Sequence, residues 1–241
     1  EAMPDVERRR LLLGDWTARE QSSTHFLRSW CREEIQEPPK SEIVKTVRSY
    51  DLASTLKNDG NPSPDYTACC KVSKLKNGEY FIHDVQKTRI RFGDWKQFIL
   101  GNAIKDGYDV DIVLPLDPGA AAKAATGMLT REISEEGFRV RTLQTTKSKL
   151  DRFRPVSSLA QNGHIVFLKN CGTDHENGIL NDNNFVYKEL ESFTGLRKSG
   201  ESGHEDIVDA LSDSVAILAS KVNIPNFTAA LQESNSQFKT H

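Results

Sequence analysis

Long apolar runs are missing from this 241-residue sequence. Nothing approaches the ~18 consecutive apolar residues of a membrane-spanning helix, and no apolar leader precedes a small-residue cleavage site, so the expectation is a cytosolic protein with no membrane role. An excess of one charge is missing as well: 32 Lys and Arg stand against 34 Asp and Glu, a formal net charge of -2. Any contact with a polyanion must then come from a local basic patch rather than from the whole molecule. Cysteine is scarce, and Cys31, Cys69, Cys70 and Cys171 contain no CxxC pair, which argues for buried reduced thiols over a zinc site or a disulfide framework. The phosphate-cradling GxxxxGK[ST] is absent too. "DPGAAAKAATG" is rich in Gly and Ala but lacks the Lys-Ser/Thr ending, so ATP hydrolysis is not expected of this chain.

What is present divides into three stretches. Residues 1–40 carry a short amphipathic opening, a Gly14-Asp15-Trp16 turn, a helical run around His25 to Ile35 and the rigid Pro38-Pro39 break, and read as a linker or the tail of a preceding module. Residues 41–225 read as one domain and residues 226–241 as a polar tail. Within the domain, "IVKTVRSYDLA" alternates as a strand ending at Asp51. "DYTACCKVSKL" and "EYFIHDVQKTRI" form a hairpin about Asn77-Gly78, where glycine supplies positive φ. "GDWKQFILGNAIKDG" is a helix closing on Gly107, "VDIVLPLD" a buried strand ending at Asp117, and the Ala-rich run to Glu136 a second helix. A strand "FRVRTLQ", a helix over "SKLDRFRPVSSLAQNG", a short strand "HIVFL" and a loop over residues 170–184 follow. The helical "FVYKELESF" and a last helix from His204 to about Val222 complete the order. Three antiparallel strands, then helix, strand, helix, strand and a final acidic helix predict an α/β fold: a ribonuclease-H-like mixed β-sheet flanked by helices.

Four acidic stations fall at the edges of these elements: Asp51, Asp65, Asp117 and the cluster Glu205, Asp206 and Asp209. Carboxylates far apart in sequence but all at element ends are what a fold needs to gather a hard divalent cation. In "GHEDIVDAL", Asp209 lies three residues after Asp206 and shares its helix face. Two Mg²⁺ or Mn²⁺ ions about 3.5–4 Å apart, one activating water and one stabilising the leaving oxygen, would make such a set a phosphodiester hydrolase, with Asp51, Asp117 and Asp206 as its catalytic core. Acids in a first helical turn also complement the helix dipole, with His204 as a plain cap, so it is the coincidence of the stations that carries the reading.

In this order, "VRSYDLASTLKNDGNPSPDYTACC", "VLPLDPGAAAKA", "TTKSKLDRFRPVSSLAQNGHIVFL", "FVYKELESF" and "GHEDIVDALSDSVAIL" resemble the nuclease domain of tailed-bacteriophage terminase large subunits, the DNA-packaging motor proteins. The resemblance spans about residues 44–218. "LLLGDWTAREQSSTHF" is similar to the segment that joins the packaging ATPase to the nuclease. The resemblance implies an endonuclease that cuts concatemeric double-stranded DNA with Mg²⁺ or Mn²⁺ in the host-cell cytoplasm, partnered by the ATPase domain, the small terminase subunit and the portal protein. It also implies metal ligation by Asp51, Asp65 and the acids that follow His204, where the family often has HDD. At Pro115 many relatives have a glutamate; positions 115 and 117 face the same side of a strand, so Asp117 would take that duty.

Lys147, Lys149, Arg152 and Arg154, around a strand-to-helix turn, are the candidate DNA-binding residues. Arg89, Arg91 and Lys96 form a weaker patch read as a solvated face, and His83 and His164 read as structural. Two other functions compete: a junction-resolvase-like nuclease, and a non-catalytic docking module for the portal or small subunit, which Pro115 keeps open.

Overall fold

The computed structural model describes residues 25–53, 64–116, 119–195 and 204–220. Asp117, Trp16, residues 54–63 and the polar tail lie outside the described residues. The described strands form one mixed sheet whose main path runs β1 (Arg32–Glu34), β7 (Ile165–Leu168), β4 (Tyr80–Thr88), β3 (Thr67–Leu75), β2 (Ile43–Asp51), β5 (Val110–Pro115), β6 (Val140–Leu143). Strands β2 (Ile43–Asp51), β3 (Thr67–Leu75) and β4 (Tyr80–Thr88) are the antiparallel meander expected from alternation, and Gly78 turns β3 into β4 at φ 89°. Helix α1 (Trp95–Asp106) ends on Gly107 at φ 83° and leads into β5 (Val110–Pro115), which lies parallel to β2. Helix α2 (Ala120–Glu135), β6 (Val140–Leu143), helix α3 (Lys149–Gln161) and β7 (Ile165–Leu168) follow in the expected order, and the chain ends in α4 (Asn184–Ser192) and α5 (Asp206–Ala219).

Two parts differ from the sequence reading. Residues 25–40, expected as linker, supply an edge strand, β1 (Arg32–Glu34), parallel to β7, and they seat Phe26 fully in the core. All three residues of β1 are exposed, so no apolar alternation announces it. The expected loop over 170–184 contains β8 (Gly172–Asp174) and β9 (Ile179–Leu180), an antiparallel pair whose β8 continues the edge of β4 beyond β7.

Because side chains alternate along strands, the vicinal cysteines face opposite sides of the sheet. Cys70 joins Val47, Ala68 and Val72 beneath α3, α4 and α5, whereas Cys69 joins Tyr50, Ile112 and Leu114 beneath α1 and α2. All four cysteines are free thiols, and burial pushes Cys69 up to about 12. On the α1 side a buried arginine organises the polar groups. Arg48 donates to Asp106 (2.6 Å) and Asp84 (2.6 Å), and Lys71 adds a second cation 3.1 Å from Asp106. His83 bridges Ser73 (2.7 Å) and Glu37, which ties the residues before β2 to the sheet and fits its structural reading.

Candidate active site

The site forms where β2 ends beneath the start of α5. Helix α5 is the most enclosed element: twelve of its residues are buried, among them Asp206, Asp209 and Asp213. Ile207, Val208, Leu211, Val215 and Leu218 press it against β2 and β3. Each such side chain contributes about 1.5–3 kcal/mol on full burial, enough together to hold down a helix that also carries acids.

Asp51, the last residue of β2, lies within electrostatic reach of these acids. Burial pushes its carboxyl well above the usual range, and the negative charges of Asp209, Asp206 and Asp213 push it further, with Lys149 opposing. Burial likewise pushes Asp206 up to about 6, against a 3.2 Å hydrogen bond from the Tyr66 backbone N–H, with Asp65 and Asp209 adding repulsion. Asp213, which the sequence reading passed over, is pushed up to about 6, chiefly by burial. It completes a stripe at positions 206, 209 and 213, one face of a helix, and that spacing was the available signal. Glu205 sits at the N-cap of α5 and Asp65 is exposed at the mouth.

Cations interleave with the acids. Lys149 Nζ stands 2.8 Å from Asp209 Oδ2 and 3.3 Å from Glu205 Oε2. Burial works against its charge, but Asp209 and Glu205 outweigh burial and hold the ammonium above its ordinary range. Arg152 Nη2 donates to Asp213 at 2.8 Å, and Nη1 lies 2.9 Å from Asp209 Oδ1 without hydrogen-bond geometry. Asp209 Oδ1 and Arg152 Nε are thus buried with no hydrogen-bond partner. Of the four candidate DNA-binding residues, Lys149 and Arg152 turn inward as counter-ions, Lys147 is exposed at the turn before α3, and Arg154 faces solvent beside Asp151 at 3.0 Å.

The opposite wall is also cationic. Arg89 stacks 3.8 Å over the Tyr66 ring and donates to the Pro64 carbonyl at 3.2 Å, bracing the segment whose Tyr66 N–H holds Asp206. Lys87 lies between the Tyr66 and Phe185 rings. His204 packs edge-on to Tyr66, and burial, with Arg89 and Lys87, lowers its affinity for a proton. The structure therefore separates Arg89 from Arg91, which is exposed, and Lys96, which pairs with Glu132 at 3.3 Å.

Extending the β2–β5 ladder two residues past Ser49 and Val113 places Pro115 beside Asp51, so no carboxylate of β5 faces it at that level. Among the described residues no three of His, Cys, Asp and Glu are grouped to hold an ion. The donors near one another are all carboxylates, hard oxygen ligands suited to Mg²⁺ or Mn²⁺ rather than to soft metals, and Asp209 Oδ1 is buried among them with no hydrogen bond, faced by Arg152 Nη1 at 2.9 Å. The residues present fit such a cation in kind.

A family model described as the terminase RNaseH-like domain matches residues 48–217. The chain belongs to that family. Solved structures of terminase nuclease domains share its fold. The human cytomegalovirus terminase nuclease domain, Mn-soaked and inhibitor-bound, superposes with a TM-score of 0.54 at 11% identity, over 75% of this chain and 86% of that one. A Thermus phage large terminase nuclease domain superposes with a TM-score of 0.50 at 15% identity, over 80% and 92%. No curated protein matches the sequence. As a terminase-family domain the chain has the ribonuclease-H-like mixed sheet expected of it, flanked by its five described helices.

Proposed function

We propose that this domain is a metal-dependent endonuclease that cuts double-stranded DNA during viral genome packaging. The observation that carries the reading is the convergence of Asp51 with Asp206 and Asp209, from opposite ends of the chain, in a buried, mutually repelling set at the C-terminal edge of β2. Such a set is costly unless a cation relieves it. Asp51, Asp206 and Asp209 would hold Mg²⁺ or Mn²⁺, with Glu205 and Asp65 at the rim and Asp117 as the further acid following β5. When bound, two such ions supply water activation and leaving-oxygen stabilisation. The chain's own residues do the rest. Tyr66 N–H fixes Asp206, Arg152 holds Asp213 beside Asp209, Lys149 pairs with Asp209 and Glu205, and the exposed Lys147 offers positive charge to the phosphates of the strand being cut. The Mn-soaked relative supports the choice of metal class. DNA, a packaging ATPase domain, the small terminase subunit and the portal are the proposed partners, and the host-cell cytoplasm the proposed location.

A second reading, a docking module without catalysis, draws on Pro115 beside Asp51 and on Lys149 seated among the acids. Supercoiled plasmid incubated with the purified domain separates the two. Conversion to nicked and linear forms with Mn²⁺ or Mg²⁺, abolished by chelator, is the nuclease outcome. Intact plasmid at millimolar metal, low salt and excess enzyme defeats it.

A further inference from the structure

The first backbone N–H groups of α5 need acceptors, and the helix does not supply them itself. Its N-cap residue, Glu205, makes no side-chain capping bond; its carboxylate turns to Lys149, 3.3 Å away. Asp206, the next acid, accepts from Tyr66 N–H instead. Both acids that an ordinary helix would spend on its own terminus thus face the site. The N–H of Ile207 is met from another helix, by Glu189 Oε1 at 2.6 Å, and the neighbouring Val208 N–H also favours the charge on that carboxylate. Ile207 and Val208 occupy the second and third helical positions, the two that a capping side chain normally serves. Glu189 is 8% exposed and lies on the face of α4 that carries Val186 and Leu190, where the pattern calls for an apolar residue.

We propose that Glu189 is a positioning residue of the nuclease centre: it caps α5 in trans and thereby fixes the height and rotation that aim Asp206 and Asp209 at Asp51. The proposal deepens the nuclease reading above and rests on it for the catalytic consequence, while the capping itself stands on the Ile207–Glu189 hydrogen bond. A cap taken from within α5 would need Glu205 or a neighbour to turn back from the site. Borrowing it from α4 leaves every acid at the helix start available to substrate and cation. Burial, with Asp206 adding repulsion, pushes the Glu189 carboxyl up to about 8, and Lys87, between Tyr66 and Phe185, opposes that rise; protonated or not, the carboxyl keeps an oxygen to accept from Ile207 N–H.

The test compares Glu189→Ala and Glu189→Gln in the 241-residue chain. Amide hydrogen exchange without metal or DNA reads the cap directly. Exchange at Ile207 and Val208 should quicken by at least about tenfold in Glu189→Ala and stay near wild type in Glu189→Gln, whose carbonyl still accepts, while the Cys69 and Cys70 amides of β3 report any global loss of stability. Plasmid nicking against Mn²⁺ concentration reads the consequence. Glu189→Ala should raise the half-maximal Mn²⁺ concentration by about tenfold or more, and Glu189→Gln should restore it. Unchanged exchange at Ile207 and Val208 in Glu189→Ala overturns the capping role. Quickened exchange with an unchanged Mn²⁺ midpoint overturns the positioning role. A glutamine variant as impaired as alanine shows that charge, not the cap, matters, and also overturns it. A wild-type domain that never nicks sinks the nuclease reading instead, and the exchange comparison still judges the cap.

Discussion

Replacing Asp206 with asparagine should make the metal-free protein more stable at neutral pH, and the gain should disappear in acid. Asp206 is 5% exposed, and its carboxyl is pushed from 3.8 up to about 6, mainly by burial. A folded-state value raised above the unfolded one means that the native state binds the proton more tightly, so stability falls as pH rises between the two values. Below pH 3.8 both states are protonated and there is no penalty; above pH 6 the penalty is complete. About two units at 1.36 kcal/mol each gives a penalty near 3 kcal/mol. The substituted amide keeps an oxygen to accept from Tyr66 N–H but buries an NH₂ group that gives up water, which trims the gain to about 2 kcal/mol. For a chain of this size that corresponds to about 4–8 °C in melting temperature. Urea unfolding of both proteins in chelator, from pH 4 to pH 8, should show coincident curves near pH 4 and a gap that opens through pH 6. With saturating Mn²⁺ the order should reverse, because only the wild type retains the full carboxylate set for the ion. An Asp206→Asn protein that is less stable than wild type at pH 7 in chelator, or a gap that does not change with pH, refutes the idea that the acids are held in a strained, cation-seeking state.

Asp51→Ala should reduce plasmid nicking to the level of the chelated control with an unchanged far-UV circular dichroism spectrum; nicking near the wild-type rate in Mn²⁺ removes Asp51 from the centre. Lys147→Glu should slow cleavage of unrelated DNA sequences by similar factors and lower the log–log salt slope of DNA binding by about 1, since phosphate contacts carry no sequence information; an unaltered slope places Lys147 off the DNA path. Arg48→Met should cost about 3–5 kcal/mol in urea unfolding, because it leaves Asp84 only the Gln86 amide and the buried Asp106 only Lys71. A loss below about 1 kcal/mol would mean that water or Lys71 replaces the guanidinium.

The legible parts of this molecule were those where side-chain period and element ends coincide. Strand β2 shows in apolar alternation, the β3–β4 hairpin in Asn77-Gly78, and Asp51 and Asp206 show as acids placed at element boundaries, with Asp209 one turn further on the same face. Strand β1 did not show, because an edge strand with Arg32, Glu33 and Glu34 all in solvent has no apolar period to read. Strands β8 and β9 are three and two residues long, and among Asn, Asp and Gly they look like loop. Nothing in the sequence of β2 marks Arg48 as a buried ion-pair centre. Its acid partners come from β4 and α1, and only the assembled sheet brings them to it. Glu189 was hidden for a related reason, since burial of an acid is decided by what packs over it, whereas Asp213 was legible in the 206, 209, 213 spacing.

The enclosure of α5 has a consequence for synthesis. Residues 206–219 are the last described helix to leave the ribosome, and they both cover the β2–β3 face and deliver Asp206 and Asp209. A nascent chain that has made the whole meander therefore still presents a bare apolar sheet face and a lone Asp51. The carboxylate set comes into being in the same step that seals the core, so under the proposed function an incomplete chain would have no means of cutting DNA.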